Sequence, residues 1–144
     1  MTIDMSNSLK VRKILLSKID EFAEYEDGWD GDGAFSAPIE VIEFAKELVS
    51  DLPESALNSI RHAESGIDLT TYGTFVIHWP IPDSYGVLAE IECSNSGFSG
   101  FMYKRKSRNE AIIFEKIQSV KDLPIEVFQM WLDLMKDEPY FIEP

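Results

Sequence analysis

The spacing of apolar residues changes once along this chain, from a helical period to alternation, and this change limits the folds open to it. Up to about residue 60, apolar residues recur every three or four positions, which is typical of amphipathic helices. From Gly73 onward they alternate with polar residues, which is typical of strands. The links between the alternating segments are short, whereas parallel strands need crossovers of a dozen residues or more. The sequence therefore predicts helices followed by an antiparallel meander.

Two amphipathic helices are predicted before the sheet. The first spans residues 8–26, with Leu9 on its apolar face and Ser8 among the residues that offer an N-cap oxygen. The second spans residues 38–50, and Pro38 suits its first turn because that position needs no backbone N–H donor. A short helical turn is predicted over residues 54–60.

Strands and a last helix are predicted in the second half of the chain. In the segment 73–79, Phe75, Ile77 and Trp79 alternate with Val76 and its polar neighbours, and in the segment 85–93 Leu88 falls on the polar side. The predicted strands and closing helix are an edge at 67–69, strands at 73–79, 85–93, 98–104 and 110–117, and a helix at 124–136. We therefore predict one α+β domain over residues 1–144: two N-terminal helices, an antiparallel meander of three to five strands, and a C-terminal helix packed on the sheet.

The charge balance restricts the partners. The chain carries 26 acidic residues against 13 Lys and Arg, a formal net charge of −13. Such a charge disfavours direct binding to nucleic acid or to an anionic membrane, and it favours a basic protein partner, although acidity also serves solubility alone. The N-terminus lacks the pattern of a signal peptide, no apolar run is long enough to span a bilayer, and Cys93 is the single cysteine, so we expect a cytoplasmic protein.

The segment 20–34, which reads D-E-F-A-E-Y-E-D-G-W-D-G-D-G-A, concentrates acid around one tryptophan and three glycines. It contains no Lys or Arg. Glu24, Glu26 and Asp27 lie at the C-terminal end of the predicted helix, where the negative end of the helix dipole disfavours them by about a few tenths of a kcal/mol each. Because these acidic residues lower the stability of the helix, their presence favours a role in contact with a partner. The surplus acid from Glu21 to Asp27 is therefore the better candidate for function.

The same segment has a structural interpretation. Asp27, Asp30 and Asp32 can accept hydrogen bonds from the N–H groups of the turn, the glycines permit positive φ, and Trp29 can fill the junction between the two helices. A calcium loop of the EF-hand type is excluded, because a register starting at Asp30 places Ala34 at the fifth loop position, where an oxygen ligand is needed. We expect no metal and no cofactor.

Basic residues are concentrated in one place, at Lys104, Arg105, Lys106 and Arg108. Lysines on an edge strand protect it from aggregation, which is the simpler interpretation. The alternative is that this cluster pairs with the acidic segment, within the chain or in a homodimer. His78 and Cys93 lie in predicted strands, and neither belongs to a recognisable metal or nucleophile motif, so we interpret both as ordinary strand residues.

The run D-G-W-D-G-D-G-A followed by P-I-E-V-I-E-F-A-K-E-L resembles a recurrent bacterial and phage-associated pattern. In that pattern W-D-G-x-G-A follows a first helix, a second helix begins with proline and ends in L-P, and a later strand closes on tryptophan. The resemblance covers residues 27–103 and carries over no catalytic residues. It implies an accessory role in small mobile or defence-linked modules.

Three functions are consistent with these observations. The first is a non-enzymatic inhibitor of the immunity-protein or antitoxin type that binds a basic partner such as a nuclease toxin. The second is a phage anti-defence protein that imitates DNA, and the third is a small enzyme that uses carboxylates. For the first, we expect charge reversal at Asp30 and Asp32 to spare folding and slow binding. The predicted contact residues are Glu24, Tyr25, Glu26, Asp27, Trp29, Asp30 and Asp32.

Overall fold

The computed structural model describes residues 5–81, 86–103 and 110–136. Helices and strands follow one another in the order that the spacing of apolar residues predicts, with short 3-10 turns at Ala63–Ser65 and Val120–Asp122. The elements are α1 (Met5–Ala23), α2 (Ile39–Asp51), α3 (Glu54–Asn58), β1 (Ile67–Leu69), β2 (Phe75–Pro80), β3 (Val87–Ser94), β4 (Gly97–Tyr103), β5 (Ala111–Ile117) and α4 (Ile125–Leu134). The predicted α+β class is confirmed.

The sheet is a five-stranded antiparallel meander with spatial order β1-β2-β3-β4-β5. Alternation sets which face each side chain occupies, so that Phe75, Ile77 and Trp79 of β2 are all buried. Leu88 is also buried in the core, which contradicts its predicted place on the polar side, whereas Val76 keeps its predicted face and is buried there, with Asp68 and Glu92 as its strand partners. For Leu88 the reason is a register shift between Trp79 and Pro80, which leaves Leu88 without a direct partner and turns it into the core.

The described helices pack on one face of this sheet. Phe22 of α1 and Phe44 of α2 contact the core-facing rings of β2 and β4. The C-terminal helix α4 joins the same layer, because Trp131 lies against Trp79 with ring centroids 5.5 Å apart. The Trp79 indole nitrogen donates to the Ala56 carbonyl oxygen at 3.0 Å, which ties β2 to α3. The predicted packing of the last helix on the sheet is confirmed.

The first helix differs from its prediction at both ends. It begins at Met5, so Ser8 lies inside the helix and is buried, and it does not act as the N-cap. Leu9 is 59% exposed, and the buried face of α1 instead carries Val11, Leu15 and Ile19. Helical spacing alone allows either stripe, and packing against α2 and α3 selects this one.

None of the helices described is long and apolar enough to cross a membrane.

Candidate protein-interaction surface

The acidic loop, residues 24–36, is a closed turn between α1 and α2. Because α1 ends at Ala23, the acids that follow it lie beyond the helix rather than in its last turn. Gly28, Gly31 and Gly33 have φ values of 79°, 77° and 83°, the left-handed region that favours glycine. The Gly28 N–H donates to the Ala34 carbonyl oxygen at 2.6 Å and closes the loop.

Two of the predicted contact residues hold this loop together. Asp30 Oδ1 accepts hydrogen bonds from the backbone N–H groups of Asp32 and Ala34 at 2.8 and 3.0 Å. Asp27 Oδ1 accepts one from the Ser36 N–H at 2.8 Å. These donors favour the ionised forms, so the Asp32 and Ala34 amides lower the pKa of Asp30, and the Ser36 amide lowers the pKa of Asp27.

The aromatic residues of the loop fasten it to the core. Trp29 donates from Nε1 to the Phe35 carbonyl oxygen at 3.0 Å, which bridges the two ends of the turn. Its ring lies 5.5 Å from the ring of Tyr25, which in turn lies 5.4 Å from Phe22. Phe22 contacts Phe75 of β2, so a row of rings connects the loop to the sheet. Trp29 and Tyr25 are therefore half-buried anchors.

Three predicted contact residues remain outward-facing. Glu24, Glu26 and Asp32 are exposed, and their carboxylates have no hydrogen bond or ion pair with other described residues. By contrast, the neighbouring helix acids are paired: Glu21 lies 3.7 Å from Lys18 and Asp20 lies 2.6 Å from Lys46. The loop thus presents three unpaired carboxylates on a fixed backbone. Since the Asp30 carboxylate holds two loop amides, we expect reversal of its charge to disturb the loop more than reversal at Asp32, and whether folding is spared stays a prediction.

The turn between β1 and β2 lies against this loop, a neighbour that the sequence did not indicate. The Phe35 N–H donates to the Thr71 carbonyl oxygen at 2.9 Å. A Cβ on Gly73 would lie 2.6 Å from the Ser36 carbonyl oxygen, so the two segments approach closely. Phe35 is 59% exposed and Tyr72 is 79% exposed. The structure therefore places two exposed aromatic residues beside the acidic loop.

The second acidic region is the face of the sheet opposite the helices. There His78 Nε2 lies 3.1 Å from Asp68 Oδ2, and His78 Nδ1 lies 3.4 Å from Glu90 Oε1. Thr74 donates from its hydroxyl to Glu92 Oε2 at 2.7 Å. His78 was interpreted as an ordinary strand residue, and it is one that joins acids of two neighbouring strands. Alternation along each strand could have indicated this face, but not which acids meet across it.

A shallow groove of about 390 Å³ crosses this open face over β3, β4 and β5. Its lining includes Gly100, Phe101 and three carboxylate residues, Glu90, Glu92 and Glu115. The predicted basic cluster at Lys104, Arg105, Lys106 and Arg108 lies outside the described residues.

Metal and thiol chemistry receive no support from the described residues. Within the three described ranges, no group of three or more His, Cys, Asp or Glu side chains is arranged to hold a metal ion. Cys93 is buried on the core face of β3, and its burial raises the pKa of the thiol to about 12, so the nucleophilic thiolate is disfavoured. Cys93 therefore behaves as a core residue.

Comparison with family models, with curated proteins and with solved structures yields no match. The resemblance of the W-D-G-x-G-A loop to a bacterial and phage-associated pattern therefore stays a prediction.

Proposed function

We propose that this protein is a non-enzymatic binding protein that occludes a basic protein partner, in the manner of an immunity protein or antitoxin acting on a nuclease toxin. The net charge of −13 supports fast encounter with a basic surface, because complementary long-range fields raise association rates. Net charge alone does not locate the contact. The acidic loop supplies a location.

The observation that carries the proposal is the division of the loop acids. Asp27 and Asp30 fix the backbone, whereas Glu24, Glu26 and Asp32 point outward without partners among the described residues. A loop that is already ordered loses little conformational freedom on binding.

Exposed aromatic side chains complete this surface. Phe35 lies in the loop itself and Tyr72 in the turn that is hydrogen-bonded to it, and both are exposed. Aromatic residues are enriched in the core of protein interfaces, and the rim around that core is polar. The surface thus offers both electrostatic steering and apolar anchors to one partner.

A general acid and base pair in the loop is a weaker alternative. The pKa values of Asp27 and Asp30 are both lowered, which is the direction that backbone hydrogen bonds produce. A carboxyl group that donates a proton near neutral pH needs a raised pKa. The loop chemistry therefore favours binding over proton transfer.

The proposal is tested by capture from a lysate of the source organism at low and high salt, followed by association kinetics with the captured protein. The test variant reverses the three free charges, Glu24→Lys, Glu26→Lys and Asp32→Lys. The matched control makes the same change in net charge on the exposed side of α2, with Glu43→Lys, Glu47→Lys and Asp51→Lys. Circular dichroism checks that both variants are folded.

We expect the captured protein to be basic and to be released by salt. The loop variant should associate about tenfold or more slowly at low salt, while the α2 control should lose much less, since steering is strongest where the charges meet. An equal decrease in association rate in both variants would mean that only net charge matters, and it would contradict a contact centred on the loop. Release of the partner by duplex DNA would instead favour the DNA-mimic hypothesis.

A further inference from the structure

The groove on the open face of the sheet combines carboxylates with an aromatic residue and an exposed apolar residue. Glu90, Phe101 and Ile113 form one cross-strand row over β3, β4 and β5, because Phe101 is paired with Glu90 on one side and with Ile113 on the other. Ile113 is 71% exposed, so the row presents apolar surface to solvent. Glu92 and Glu115 line the same groove.

This composition complements a guanidinium group. An aromatic ring attracts a planar cation over its face, and nearby carboxylates accept hydrogen bonds from its edge. Three carboxylates line the groove, and no Lys or Arg lines it in the part of the chain that the structure describes. Arginine fits such a site better than lysine, because its flat group stacks on a ring and pairs with carboxylates at the same time.

The groove is also connected to the acidic loop. Glu92, which lines it, accepts a hydrogen bond from Thr74, and Thr74 is linked to Thr70 by a contact of 2.6 Å between the two hydroxyls. Thr70 and Thr74 flank the turn whose Thr71 carbonyl oxygen accepts a hydrogen bond from the Phe35 N–H of the loop. Hydrogen bonds thus connect a lining residue of the groove to the segment that adjoins the loop.

We propose that the groove receives an arginine-rich extended segment of the same basic partner, with a guanidinium group over the ring of Phe101 and between Glu92 and Glu115. This inference rests on the proposed function and names the chemistry of the partner. The occupant that we propose is an extended segment, because its successive side chains can follow a groove that runs across three strands.

Binding of a fluorescein-labelled hexa-arginine peptide, followed by fluorescence anisotropy, tests the groove without the natural partner. The test variant is Glu92→Gln with Glu115→Gln, and the matched control is Glu43→Gln with Glu47→Gln on α2. We expect the groove variant to bind about fivefold more weakly, since two partly exposed charge pairs are lost, and the control to bind less than about twofold more weakly. Equal weakening in both variants would overturn the proposal.

A second arm separates arginine recognition from simple charge attraction. The wild-type protein should prefer hexa-arginine over hexa-lysine by about threefold, and Phe101→Leu should reduce this preference, because pairing with the carboxylates remains when the ring is lost. A preference that Phe101→Leu leaves unchanged would overturn the stacking role. Amide chemical shifts should move at 90–92, 99–103 and 111–115, and shifts confined to 24–36 would place the peptide on the loop alone.

The two proposals fail in distinguishable ways. If the groove variant captures and binds the natural partner as the wild-type protein does, while the loop variant does not, the groove proposal fails and the proposed function stands. If hexa-arginine binds the groove but no basic protein is captured, the groove stands and the proposed function fails. Self-association that competes with the peptide would assign the groove to a second copy of this chain and overturn the proposal.

Discussion

The acidic loop and the open face of the sheet both concentrate carboxylates, but they use them differently. In the loop, Asp27 and Asp30 bind backbone amides and leave their neighbours free. On the sheet, Asp68 and Glu90 lie beside His78, and Glu92 accepts from Thr74. The loop carboxylates therefore set the shape of the chain, whereas the sheet carboxylates contact side chains on a surface whose shape the strands already fix.

This difference predicts where substitutions act. A loop that owes its shape to side chains should change shape when one is removed. A sheet whose shape comes from strand pairing should tolerate the loss of its surface acids and fail only where the backbone packing is disturbed. The following expectations test this contrast, from the largest effect to the smallest.

The largest effect is expected for Gly100→Ala in β4. A Cβ at Gly100 would collide with the Glu90 carbonyl oxygen of the neighbouring strand, and the Phe114 ring also lies over this position. Because a paired strand cannot move aside cheaply, we expect a loss of about 3 kcal/mol in the free energy of unfolding, measured by urea denaturation. Full stability in this variant would mean that the close approach of β3 and β4 is wrong.

A smaller effect is expected for Trp29 in the loop. Trp29→Ala removes a half-buried ring from its contact with Tyr25 and should cost about 2 kcal/mol in urea denaturation. Trp29→Phe keeps a ring but loses the hydrogen bond to the Phe35 carbonyl oxygen, and should cost about 1 kcal/mol. Identical losses in both variants would show that the ring contributes nothing beyond its hydrogen bond.

The third effect in size is expected from low pH, which should lower the stability that the loop contributes. Because Asp27 and Asp30 have folded-state pKa values below their usual 3.8, their contribution is complete above that pH and is lost as the pH falls through the lowered values. Asp27→Asn with Asp30→Asn should therefore flatten the dependence of the urea midpoint on pH below about pH 4. If the urea midpoints of wild type and variant depended on pH in the same way, these two carboxylates would be excluded as the cause of the loss of stability in acid.

The smallest expected signal is the reaction of Cys93 with iodoacetamide. The thiol is buried on the core face of β3, and burial raises its pKa to about 12. Native protein at pH 8 should therefore react only as fast as it opens, and urea-unfolded protein should react at the rate of a free thiol. Rapid labelling of the native protein would show that this part of the core is accessible.

Much of the fold could be predicted from the sequence, since apolar period and link length are local properties. The meander, the order of the elements and the final helix follow from them. The errors lie where tertiary contacts choose between local options. Leu9 belongs to one of two possible helix stripes, and Leu88 is turned inward by a shift in strand register.

The candidate site was predictable only in part. The sequence indicated that Asp27, Asp30 and Asp32 could bind turn amides, but all three offer the same chemistry, and only the path of the backbone shows that Asp32 is left free. That Tyr72 adjoins the loop could not be found from sequence, because its turn is distant in the chain and is joined to the loop by the hydrogen bond from the Phe35 N–H to the Thr71 carbonyl oxygen.

The division of the loop acids into structural and outward-facing groups is tested most directly by one pair of urea titrations at pH 7. One variant carries Asp27→Ala and Asp30→Ala, and the other carries Glu24→Ala and Glu26→Ala, so each loses two loop carboxylates. The first should unfold at a clearly lower urea midpoint, because three backbone N–H groups lose their acceptors. The second should keep the wild-type midpoint or exceed it, since acids just beyond a helix C-terminus oppose its dipole. Equal midpoints in the two variants would contradict the division.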